Sequence, residues 1–132
     1  MFLLLLCAVG PCDACAPRHA LLSDSEQFAK ASAVFLAHLT KAEESATHAN
    51  MLEGTFRLIE VLKGQAPPDN KITTVVYWPG SCGLPLLVGG DYLFFLYEGE
   101  ANSVRLGESR GPFDAGGYYE KKFLEQMRAL RQ

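Results

Sequence analysis

The chain has 132 residues, 48% of them hydrophobic, which is enough for one domain with a single core and too few for two. Its net charge of −3, with both signs mixed along the chain, excludes the clustered basic surface that nucleic acid requires. No Ser, His and Asp set lies in a nucleophile-like motif, and nothing around Glu43-Glu44 would separate two carboxyl pKa values, so no enzymatic activity is expected.

The chain opens with Met1-Phe2-Leu3-Leu4-Leu5-Leu6-Cys7-Ala8-Val9. This apolar run is too short to span a bilayer and has the length of a signal-peptide hydrophobic segment. No Lys or Arg precedes it, so a buried strand stays open beside the leader. A cut after Ala14 puts Cys12 and Ala14 at the two positions where small residues are wanted. It gives a leader of 1–14 and an exported domain of 15–132, secreted or periplasmic. A cut before Cys12 is the alternative. Of the four cysteines, Cys7, Cys12, Cys15 and Cys82, a cut after Ala14 leaves two, an even number in an oxidising compartment. One disulfide closing so long a loop would contribute roughly 4 kcal/mol on the chain-entropy picture.

Ser23 at an N-cap, with Glu26 three residues on, predicts a short helix over 23–31. Strands are predicted at 34–40 and 55–62, joined by a polar hairpin loop over 43–50. Within 55–62 the apolar phase passes from Phe56 and Leu58 to Ile59 and Val61, which suggests a bulge. Residues 72–78 form a third strand by their β-branched and aromatic content. A fourth, at 92–97, is apolar on both faces and so central. A short fifth strand follows at 103–106. Tyr119, Phe123, Met127 and Leu130 make one stripe of a C-terminal helix. The class is mainly β: a small five-stranded Greek-key, oligomer-binding-type barrel with a short N-terminal helix and a C-terminal helix. A flat meander covered by the last helix is the competing architecture.

Several sharper readings stand against blander ones. Cys12, Cys15, His19 and Cys82 could form a zinc site, but their second half is not a compact pair, so no metal is expected. His38 and His48 have no partner at ligand spacing. Tyr77 and Trp78 read as core residues rather than a ligand-binding face.

One resemblance adds to this. Cys15-Ala16-Pro17, Ala33-Val34-Phe35-Leu36-Ala37 and Glu60-Val61-Leu62-Lys63-Gly64 occur in that order. Ser81-Cys82-Gly83, Gly90-Asp91-Tyr92-Leu93 and the final helix follow. The series resembles the netrin-like domains, specifically the bacterial proteins related to tissue inhibitors of metalloproteinases. The family pattern has Cys-x-Cys where this chain has Cys12-Asp13-Ala14-Cys15, and a later family cysteine falls near Ser109. The resemblance implies a five-stranded oligomer-binding barrel, no cofactor, and a zinc metalloprotease as partner. In the animal inhibitors the first residue is a cysteine whose α-amine and carbonyl chelate the protease zinc. Carried over, Cys15 is the chelating residue and Cys82 its disulfide partner. Ala16, Pro17, Ser81 and Gly83 then form the ridge that enters the cleft. The alternatives are an envelope interaction module without inhibitory activity and a small metal-binding protein using Cys12, Cys15, His19 and Cys82.

Overall fold

The computed structural model describes residues 19, 21–76, 81–113 and 118–131. Helix α1 (Asp24–Lys30) leads into strands β1 (Ala33–Glu44), β2 (Met51–Lys63), β3 (Lys71–Val75), β4 (Asp91–Leu96) and β5 (Arg110–Phe113), and helix α2 (Tyr118–Ala129) follows. The strands form one antiparallel sheet in the order β3-β2-β1-β4-β5. No helix among the described residues is long and apolar enough to cross a membrane.

Helix α1 starts as its sequence predicts. The Glu26 N–H donates to Ser23 Oγ at 3.2 Å, and that hydroxyl donates to Glu26 Oε1 at 3.0 Å. The helix is short because Ala31 leaves it in an extended conformation, and Ser32 N–H then donates to Leu96 O at 2.7 Å. That bond delivers the chain to the middle of the sheet.

Strand alternation sorts the core onto two faces. Ala33, Phe35, Ala37 and Leu39 of β1 join Phe56, Ile72, Tyr92 and Phe94 on one face. Val34 and Leu36 join Leu93, Phe95 and Tyr97 on the other, which Phe28 of α1 and Met127 of α2 cover. Both faces of β4 and of the first half of β1 are buried, as expected of central strands, because the helices cap one side and residues such as Leu84 and Val104 cap the other.

The bulge falls where the apolar phase changes. Ala37 opposes Leu58 and Leu36 opposes Glu60, so Ile59 has no partner position on β1. Both hydrophobic residues at this kink are exposed, Leu58 at 40% and Ile59 at 43%, although Leu58 pairs with Ala37 on the face that Phe56 occupies.

Three expectations change. Strands β1 and β2 extend beyond their predicted ends, so Glu43 and Glu44 lie in the ladder, opposite Glu53 and Leu52, rather than in the loop. The fifth strand is 110–113, not 103–106: Ser103 makes only an isolated parallel bridge to Thr73. Gly111-Pro112 reads as a strand breaker in sequence, but an edge strand tolerates a residue without an N–H. Finally, the ladder ends at β3 and β5 and is open.

Candidate functional site

The ridge residues predicted from sequence divide between described and undescribed segments. Cys15, Ala16 and Pro17 lie outside the described residues, as do Cys12, Tyr77 and Trp78. Ser81 is half-buried, Cys82 is 7% exposed and Gly83 is buried.

The segment carrying these three is pinned at successive points. Gly83 N–H donates to Ser81 Oγ at 3.4 Å, a local turn made by the serine itself. Leu106 N–H donates to the Cys82 carbonyl at 3.0 Å. Thr74, fully buried on β3, accepts from Leu84 N–H at 2.9 Å and donates to the Val104 carbonyl at 2.9 Å. A single hydroxyl therefore ties the mid-chain loop and the 102–106 segment to one strand. Farther on, the Tyr92 hydroxyl holds Pro85 and Leu87, and the loop returns to the sheet where Gly89 N–H donates to the Leu39 carbonyl at 2.8 Å. Between these anchors, Leu87 and Val88 stand exposed.

A second group of side chains gathers beside the same 105–109 turn. His19 N–H donates to Glu108 Oε1 at 3.4 Å, and its Nδ1 lies 3.5 Å from that oxygen. Its imidazole stacks on the Tyr97 ring with centroids 3.8 Å apart and planes 6° from parallel. Gln27, wholly buried, donates from Nε2 to the His19 carbonyl at 2.7 Å and to the Gly107 carbonyl at 3.3 Å, so α1 fixes both partners. Ligand atoms of His19, Glu100 and Glu108 all lie within 4.8 Å of one another. Burial pushes the Tyr97 phenol well above the usual tyrosine range, and the Glu108 carboxylate pushes it the same way.

The remaining histidines are placed otherwise. His38 Nδ1 sits 2.7 Å from Asp91 Oδ1 across the β1–β4 register, a partner that its sequence spacing does not reveal. His48 meets Thr47 Oγ1 at 2.9 Å in the exposed hairpin loop.

Nothing local in the sequence marks Thr74, Tyr97 or Glu108. Glu108 lies among Gly107, Ser109 and Arg110, a context that reads as solvated loop, yet it is 1% exposed. Tyr97 reads as the end of an apolar strand, and only the fold brings it to His19.

No protein-family model matches the chain, and no curated protein matches it.

Proposed function

We propose that this chain is an exported, non-enzymatic binding domain that blocks a zinc metalloprotease with its N-terminal cysteine. Catalytic zinc keeps one coordination position open for water or substrate, and a first residue offering its α-amine and carbonyl fills it. Cys15 is that residue, tied by a disulfide to Cys82 and flanked by Ala16, Pro17, Ser81 and Gly83.

The observation that carries this reading is a shared anchorage. The Cys82 carbonyl is held by Leu106 N–H, and the His19 N–H is held by Glu108, two residues farther along the same turn. Cys15 lies four residues before His19, a reach of about 13 Å for extended chain. His19 and Cys82 are thus both anchored to the 105–109 turn. The barrel of the netrin-like family has support of the same kind. The parallel bridge between Thr73 and Ser103 brings the chain just ahead of β5 against the free edge of β3, the pairing needed to close such a barrel.

The test combines intact mass of the exported protein, before and after reduction, with assays against a panel of zinc proteases. A chain beginning at Cys15 with one disulfide, inhibiting at nanomolar concentration and inactive once its α-amine is acetylated, is the expected result. Retention of Cys12 with free thiols, or inertness across the panel, overturns the mechanism and leaves an envelope interaction module as the reading to pursue.

A further inference from the structure

We infer that His19, Glu100 and Glu108 form a binding site for one divalent transition-metal ion, with zinc the natural probe. The site is separate from the ridge chemistry and uses no cysteine.

The donor set is one imidazole nitrogen and two carboxylates, a combination suited to zinc and its first-row neighbours rather than to calcium or copper(I). Zinc holds nitrogen and oxygen ligands at about 2.0–2.2 Å, which puts tetrahedral neighbours on the order of 3.4 Å apart. His19 Nδ1 and Glu108 Oε1, at 3.5 Å, already stand at that separation. No two of the three ligand atoms are more than 4.8 Å apart, so reaching tetrahedral spacing takes at most about 1.4 Å of closure, shared between the side chains.

A second observation points to the same place. Tyr97 is 4% exposed, and its hydroxyl has no hydrogen-bond partner among the described residues. Its ring lies flat on His19, with centroids 3.8 Å apart and planes 6° from parallel, which sets the hydroxyl beside the imidazole. A buried hydroxyl left unsatisfied is costly. A water on the bound ion would give it a partner, the usual arrangement around a metal.

The charges around the cluster agree. The Glu108 carboxylate is buried, a state that requires a compensating charge. The Arg110 guanidinium is spent elsewhere, donating to the Gly107 and Glu108 carbonyls and to Asp24 Oδ1. Against the Glu108 carboxylate itself stands His19, an imidazole oriented as a ligand, with its backbone fixed by Gln27.

The experiment is equilibrium dialysis of the exported chain against zinc chloride, with cobalt chloride as a spectroscopic reporter. One ion per chain is expected, with cobalt d–d bands and no thiolate-to-cobalt charge transfer. Glu108→Gln and Glu100→Gln should each weaken binding by about tenfold or more. Glu108 is the more buried of the two, so Glu100→Gln keeps the test valid if the other variant fails to fold. Failure to bind one equivalent, a thiolate charge-transfer band, or undiminished binding in a folded Glu100→Gln variant would each overturn the site.

Discussion

The Tyr92 hydroxyl donates to the Pro85 carbonyl at 2.7 Å and accepts from the Leu87 N–H at 2.8 Å. Its ring stacks on Phe94 at 5.3 Å in the centre of the sheet, so one side chain ties the mid-chain loop to the core. Tyr92→Phe keeps the stack and removes both bonds. Leaving a part-buried N–H and carbonyl unmet should cost about 1–3 kcal/mol in urea denaturation. Burial also raises the Tyr92 phenol above the ordinary tyrosine range. A raised folded value means the contribution is fully present below about pH 10, where the unfolded phenol ionises, and is lost as pH rises towards the folded value. The gap between wild type and Tyr92→Phe should therefore narrow in strongly alkaline buffer. A gap that is constant with pH would mean the phenol's protonation is not coupled to folding.

Gly64 sits where β2 passes the junction of α1 and β1. Its φ is +64°, and a Cβ there would lie 2.1 Å from the Ser32 carbonyl oxygen. Gly64→Ala therefore combines left-handed strain, about 1–2 kcal/mol, with a backbone collision that must be relieved by moving the start of β1. The expected loss is about 2–4 kcal/mol, a large share of a small domain's stability. Gly99 separates the two effects, because its φ is +81° and nothing lies within 4 Å of the added carbon. Gly99→Ala should lose only the strain, and equal losses at both positions would show that the Ser32 contact is not limiting.

What could be read from the sequence follows how local each signal is. The Ser23–Glu26 cap is a contact three residues long and is written in the residues themselves. The bulge at Ile59 is likewise visible as a change of apolar phase inside one strand. The fifth strand departs from the sequence expectation because 103–106 is richer in β-formers, whereas 110–113 carries a glycine and a proline and is a strand only by pairing with β4. The cluster around Glu108 lay beyond local reasoning altogether. His19 and Glu108 are 89 residues apart, and a glutamate between turn residues gives no sign of burial until the fold closes over it.

Glu60 fastens the C-terminal helix to β2. Arg128 Nε donates to its Oε2 at 3.0 Å, and Arg131 Nη1 lies 3.2 Å from its Oε1. The Arg128 hydrogen bond is the main reason that the Glu60 carboxyl is held below the usual glutamate range, with the charges of both arginines adding to it. Because the folded value is depressed, the stabilisation is present above about pH 4.3, the unfolded value, and is lost as pH falls through the folded one. Both arginines are substantially exposed, so solvent screening keeps the contribution small. Glu60→Gln should lose about 0.5–1 kcal/mol at neutral pH and low salt, less at high salt, and almost nothing once the wild-type carboxyl is protonated. Urea denaturation of both proteins at neutral and strongly acid pH checks this. A deficit that persists undiminished in acid would mean that Glu60 holds α2 by packing of its methylenes rather than by charge.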